Sequence, residues 1–270
     1  AGKIYKRTSA GSWSVLQTVT ATPAILGAAE HSDGYIYFTY SNKVGRIQVS
    51  NDGYTESWNT LTNTNGSYGP MIYHETQDKI FIGNKELVAS ISSASAFTAS
   101  ALDLKTNYEV RDLVPYDIDL LVGATDQDSN GLSTILQWDG TASSWQYQWF
   151  LGQQIRWMIN KQESIYILAG NEGEIYKFPD LENPAKQIPG AYSSTALLYS
   201  YPNSKCIFKK FLMFGVYDGS TGNPFPNGVY SLGTRDIKKF PLALNCEYAI
   251  STNETDGIQI GAISTDGSNL

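Results

Sequence analysis

The chain has 270 residues, 26 acidic against 19 basic side chains for a net charge of −7, and 41% hydrophobic content. An acidic balance with no basic stripe excludes nucleic acid as the main partner, because phosphate binding needs clustered Lys and Arg, and the apolar content excludes a disordered chain. No apolar run nears the roughly 18 residues of a membrane-spanning helix, and two Cys with two His argue against a disulfide framework, a catalytic triad or a zinc site.

Helix periodicity is nearly absent; short β-branched and aromatic runs bounded by turn residues dominate instead. In chain order, Gly2-Lys-Ile-Tyr-Lys-Arg7, a Ser-Ala-Gly turn and a strand opening on Trp13 form a first hairpin. Ile25 to Ala29 leads through Glu-His-Ser-Asp-Gly into Tyr35–Tyr40, followed by Val44–Val49, a Ser-Asn-Asp-Gly turn and Trp58. Met71 to Tyr73 leads through His-Glu-Thr-Gln-Asp into Lys79–Gly83. Val110 to Val114 leads through Pro-Tyr-Asp-Ile-Asp into Leu120–Gly123, followed by Thr134–Trp138, an Asp-Gly-Thr turn and Trp145. Ile155 to Ile159 precedes Ser164–Ala169, a further unit holds Phe211–Val216, and Ile258 to Ser264 opens a last one before the chain stops. The turn glycines supply the positive φ that hairpins require. The repeated Trp residues are expected to pack between neighbouring units.

Unit starts near residues 25, 70, 110, 155, 195 and 258 give a period of about 40–50 residues with four short strands each. That is the pattern of propeller blades. The expected fold is therefore an all-β, six-bladed β-propeller forming a single domain over residues 1–270. The N-terminal strands and a C-terminal strand would close one composite blade and leave no free sheet edge. A seventh blade in missing sequence is the competing count. The chain begins with neither an initiator Met nor an apolar signal segment, so it reads as processed or as a piece of something longer. Cys206 and Cys246 fall in one unit on different strands. If a third strand lies between them, their backbones are roughly 9–10 Å apart, beyond disulfide reach, and free, buried thiols are expected.

Loops joining second to third strands, and loops joining blades, should share one face, and scaffolded loops are where function sits. Asp126-Gln-Asp128-Ser-Asn130-Gly131 matches the opening of a calcium loop. Position twelve is Gln137 rather than a bidentate Glu, and the alternative is an ordinary β-turn loop. The insertion Asp218–Gly228 presents Phe225 between two prolines, for a sugar or a protein neighbour or simply packed on its own blade. Tyr217, Phe225, Trp149 and Tyr192 are the candidate ligand-binding residues, since each falls near a loop on the same expected face. Glu30-His31 and His74-Glu75 occupy equivalent turns and are read as solvated rather than as metal ligands. Asp117 and Asp119, spaced like a glycosidase carboxylate pair, are also read as turn residues. The five Arg residues (Arg7, Arg46, Arg111, Arg156, Arg235) show no matched positions, so an arginine triad for a sugar carboxylate is not expected. Ser50-Asn-Asp52-Gly53 before Trp58 approaches the Asp-box of sialidase propellers, with altered spacing.

Phe211-Leu-Met-Phe-Gly-Val-Tyr-Asp-Gly-Ser, Asn227-Gly-Val-Tyr-Ser-Leu-Gly233 and Phe240-Pro-Leu-Ala-Leu-Asn-Cys-Glu-Tyr-Ala-Ile-Ser251 together resemble tailed-bacteriophage structural proteins that contain a propeller. The resemblance covers about a fifth of the chain. It implies a virion or tail component, extracellular or particle-bound, that scaffolds or adheres to other virion or surface proteins and to a cell-surface glycan or receptor. It transfers no catalytic residue, and the expected function is non-enzymatic. The alternative is a secreted carbohydrate-active propeller enzyme of glycoside hydrolase or sialidase type.

Overall fold

A computed structural model describes residues 2–8, 11–21, 23–65, 68–128, 131–161, 164–170, 173–178, 185–188, 198–218, 227–233, 243–249, 260 and 262–265. Among them there is no helix, and 23 strands form six antiparallel sheets. The first sheet is a hairpin of β1 (Lys3–Arg7) and β2 (Trp13–Thr18). The second runs β3 (Gly27–Glu30), β4 (Tyr35–Tyr40), β5 (Lys43–Gln48), β6 (Tyr54–Thr60). The third runs β7 (Met71–His74), β8 (Lys79–Asn84), β9 (Leu87–Ser93), β10 (Ala96–Asp103). The fourth holds β11 (Tyr108–Tyr116), β12 (Asp119–Asp126), β13 (Ser133–Trp138) and β14 (Tyr147–Leu151). The fifth holds β15 (Ile155–Lys161), β16 (Ser164–Ala169), β17 (Glu174–Phe178) and β18 (Ala185–Ile188). In the sixth, β19 (Leu198–Tyr199) and β20 (Lys205–Phe208) both pair with β21 (Phe211–Asp218), which continues to β22 (Gly228–Gly233) and β23 (Ala243–Ala249).

Every four-stranded sheet follows chain order, the meander that the repeat predicts. Burial explains why its strands differ in sequence. Second strands such as β8 and β12 are closed on both faces and read as near-continuous apolar runs, whereas β6 and β10 alternate between exposed and partly covered.

By its contacts the chain divides into two compact units, Ala1–Gln127 with Leu136–Gln148, and Asp128–Ile135 with Trp149–Leu270. In the first, Tyr37 and Val44 pack with Ile80, Ile82, Ala89 and Ile91, joining the second sheet to the third. Phe81, Leu113, Leu120, Val122 and Trp138 join the third to the fourth. In the second unit, Trp157, Leu168 and Ile175 pack with Leu212, Phe214, Tyr230 and Leu232. Each such buried side chain contributes about 1.5–3 kcal/mol.

The β1–β2 hairpin is the half-blade expected of the N-terminal strands. It is tied to the second sheet by a Lys6–Asp52 ion pair at 2.7 Å and by the Thr20 N–H and hydroxyl, each donating to Glu56 at 3.0 Å. Of the expected C-terminal strand Ile258–Ser264, residues 260 and 262–264 are described, and they lie outside any strand. Ile260 nevertheless packs as a following blade would. A Cβ on Gly215 of β21 would stand 2.6 Å from Ile260 Cβ, much as one on Gly83 of β8 would stand 2.8 Å from Val110 Cγ1 in the next sheet. Only a residue without a side chain admits either approach.

Cys206 and Cys246 are free, as expected, but only partly buried. Two strands separate them rather than one: Cys206 faces Met213, Met213 faces Ser231, and Cys246 lies opposite Tyr230 in the next strand. Three strand spacings put their backbones about 14 Å apart. Burial pushes the Cys206 thiol above its ordinary range, which makes it a poor thiolate.

Candidate functional site

Of the four aromatic residues singled out by sequence, Trp149 and Tyr217 lie among the described residues, while Phe225 and Tyr192 fall outside them. Trp149 sits on β14, the outermost strand of its sheet, half-buried, with its carbonyl accepting the Thr134 hydroxyl at 3.0 Å. Tyr217 lies on β21 opposite Tyr199, one strand in from the edge. The two are therefore not on equivalent strands. The exposed rings are the neighbours of Trp149: Tyr147 is 61% and Phe150 72% exposed. Trp13 on β2 (66%) and Tyr248 on β23 (67%) are open in the same way. Each of these four rings lies on the last strand of its sheet, with no further strand beyond it among the described residues.

Asp126 ends β12, and its carboxylate accepts the Asn107 amide at 2.8 Å. Asp128 follows, exposed, and Asn130 lies outside the described residues. Among the described residues no group of three or more His, Cys, Asp or Glu is placed to hold a metal.

The histidine turns correct the expectation of solvated side chains. His31 and His74 are both buried. His31 Nε2 lies 3.0 Å from the Asp78 carbonyl, and His31 Nδ1 accepts the Asp33 N–H at 3.1 Å. His74 Nε2 lies 2.8 Å from the Asp119 carbonyl, and its Nδ1 accepts the Gln77 N–H at 3.3 Å. A carbonyl can only accept, so both rings are the Nε2–H tautomer, donating to the next sheet and accepting from their own turn. Around them, Tyr73 donates to Asp78 at 2.7 Å, Ser32 donates to the same carboxylate, Gln77 donates to the Ile118 carbonyl at 2.7 Å, and Gln137 donates to Asp119. Asp117 takes positive φ in its turn, so it and Asp119 do not form a carboxylate pair on one strand face. The Ser32 and Tyr73 hydroxyls hold the Asp78 carboxyl below the usual range.

Two of the repeated Trp residues pack between sheets as expected. Trp58 meets Phe97 of the third sheet edge-on at 6.0 Å, and Trp145 lies against the core joining the third and fourth sheets. Trp13 does not. Arg46 stacks between Tyr35 and Trp58, 4.5 and 5.0 Å from the ring centres, and donates to the Ala94 carbonyl at 2.7 Å.

The arginines do have a matched pair. In β11 the register slips between Val110, opposite Ala124, and Asp112, opposite Gly123, leaving Arg111 as the extra residue. In β15 the slip between Ile155, opposite Ala169, and Trp157, opposite Leu168, gives Arg156 the same place. A bulge re-aims a side chain, and both arginines are buried. Arg111 pairs with Glu109 at 2.8 Å, lies 4.0 Å over the Tyr68 ring and leaves its Nε–H unpaired among the described residues. Arg156 Nε donates to the Gly170 carbonyl at 3.4 Å. The equivalent positions follow from the repeat itself, each arginine being the second residue of its unit's first strand; the register adds that both are bulge residues.

No protein-family model and no curated protein matches the sequence. Solved β-propeller structures do match it. One is a streptogramin B lyase structure, with a TM-score of 0.60 and 13% identity over 86% of this chain and 76% of that one. Another is the selenomethionine-substituted virginiamycin B lyase from Staphylococcus aureus, at 0.55 and 14% over 87% and 78%. A chain of the mitotic checkpoint complex gives 0.61 and 13% over 98% and 73%. At such identities the likeness is one of fold. With six antiparallel sheets, four of them four-stranded meanders in chain order, the protein is an all-β repeat protein of the β-propeller class. No helix among the described residues is long and apolar enough to cross a membrane.

Proposed function

We propose that this propeller is a non-enzymatic interaction module of a virion or phage tail, docking onto neighbouring subunits and contacting a host-surface glycan or receptor. The observation that carries the reading is the set of open rings on outermost strands, Trp13, Tyr147, Phe150 and Tyr248. Exposed aromatic faces beside short polar side chains suit sugar rings and protein surfaces without requiring charge. The resemblance of Phe211–Ser220 and the segments after it to tail proteins supports the virion or extracellular setting.

The test is binding of the purified protein to a glycan array and to the structural proteins of the particle. A variant carrying Trp13→Ala, Tyr147→Ala, Phe150→Ala and Tyr248→Ala should bind about ten-fold or more weaker while melting as the parent does. Undiminished binding by that variant, or no binding by the parent to glycan or virion protein, would overturn the reading. The calcium proposal at Asp126, Asp128 and Asn130 stands on sequence spacing and is tested separately. An unchanged melting temperature between chelator and millimolar calcium ends it.

A further inference from the structure

The fifth sheet brings two lysines together around one ring. Tyr166 on β16 lies opposite Ile159 of β15 on one side and Lys177 of β17 on the other. Lys161 is two residues beyond Ile159, so the side-chain alternation of a strand puts it on that same face. The Lys161 and Lys177 ammonium groups each lie 5.9 Å from the centre of the Tyr166 ring. All three side chains are half-buried. Further along this face, Ile159 and Tyr166 pack into the core shared with the sixth sheet. The corresponding turn of the sixth sheet carries Lys209 and Lys210, each over an adjacent Phe ring. No carboxylate pairs with any of these four lysines among the described residues.

Two long, flexible cations with no acid between them among the described residues would ordinarily swing apart into water. Here both stay at one ring in a chain that is acidic overall. Burial, and then Lys177, hold the Lys161 ammonium below its ordinary range, as expected where a charge is desolvated beside a like charge. Burial also pushes the Tyr166 hydroxyl up, so it remains an O–H donor. An arginine fork pairs bidentately with carboxylate or phosphate, whereas lysines bind phosphate-type oxyanions as point charges without a fixed fork.

We propose that Lys161, Tyr166 and Lys177 form a binding site for a sulfate or phosphate monoester group. The site does not depend on the virion setting, and its test is separate from that of the aromatic rings.

Thermal melting of the whole protein is measured in sodium sulfate at about 20 mM and in sodium chloride of equal ionic strength. The parent should gain about 3 °C from sulfate over chloride. Lys161→Met/Lys177→Met should melt as high as the parent or higher in chloride, because a repulsion is removed, and should lose most of the sulfate gain. A sulfate gain of equal size in parent and double variant overturns the proposal, since that gain would be the general effect of an excluded salt. Calorimetric titration with inorganic sulfate, inorganic phosphate and acetate separates the ligands. A preference for sulfate assigns a sulfated ligand and a preference for phosphate a phosphorylated one. Acetate binding as tightly as both overturns the tetrahedral assignment.

Discussion

The turns joining first to second strands occupy the same place in every repeat, yet among the described residues the two compact units make different contacts there. In the first unit they carry His31, Asp33, His74, Asp78 and Asp119, and each of these is bonded to a neighbouring turn, strand or sheet. In the second they carry Lys161, Lys209 and Lys210, which touch rings but no carboxylate among the described residues. The difference separates two uses of one scaffold position. A short acidic or imidazole side chain reaches the next sheet's backbone and latches it. A long cation reaches past the backbone and lies against a ring, with no carboxylate paired to it among the described residues.

The largest effect expected from this comparison is at the latch. His74→Leu keeps an apolar volume but leaves the Asp119 carbonyl and the Gln77 N–H without the ring. The cost should be about 2–3 kcal/mol, read by chemical denaturation, and Lys161→Met should cost nothing by the same measurement. A His74→Leu variant as stable as the parent would mean that water serves those two groups equally well and that the latch is not a stabilising device.

Acid offers a weaker test of the same contrast. Asp78 is held low by the Ser32 and Tyr73 hydroxyls, and Asp139 by the backbone N–H groups of Ala142 and Thr141. A carboxyl whose folded value lies below its unfolded one, near 3.9, contributes stability that is complete above the unfolded value. That contribution disappears as pH falls through the folded one. The melting temperature should therefore fall between about pH 5 and about pH 3, and Asp78→Asn with Asp139→Asn should flatten the fall. An unchanged slope in that double variant would show that other carboxylates carry the acid sensitivity.

The strands, their period and the propeller class were legible in the sequence because alternation and turn residues are local signals. The latches were not, because each partner lies one repeat away. His31 meets a carbonyl 47 residues on, His74 one 45 residues on, and Arg46 one 48 residues on. A histidine within Glu-His-Ser-Asp-Gly looks solvated until the next repeat is laid beside it. The correspondence of Arg111 with Arg156 was within reach of the sequence, since each is the second residue of its unit's first strand, Val110–Val114 and Ile155–Ile159. That each is a bulge residue was not, because a bulge shifts register without marking the sequence. Among the aromatic residues, sequence reached the right strand at β14 and the wrong side chains. Trp149 shares its face with Tyr147 and differs from Phe150, and which of these is covered depends on packing beyond the strand itself. The signal available was the twofold alternation across Tyr147–Leu151, which sets Trp149 and Phe150 on opposite faces.

The smallest effect, and the sharpest for the comparison, comes from giving the second unit the chemistry of the first. Lys161→Glu places a carboxylate beside Lys177 and Tyr166, where the first unit would have an acid. A half-exposed ion pair of this kind should raise stability by about 0.3–1 kcal/mol, and the gain should shrink as salt is added, because exposed charges are screened. The sulfate-dependent gain in melting temperature should vanish with it, since the introduced carboxylate takes the place of the oxyanion. If Lys161→Glu instead destabilises the protein at low salt, the lysine stem rather than its charge is what the Tyr166 face requires. The turns of the two units would then differ in packing and not in electrostatics.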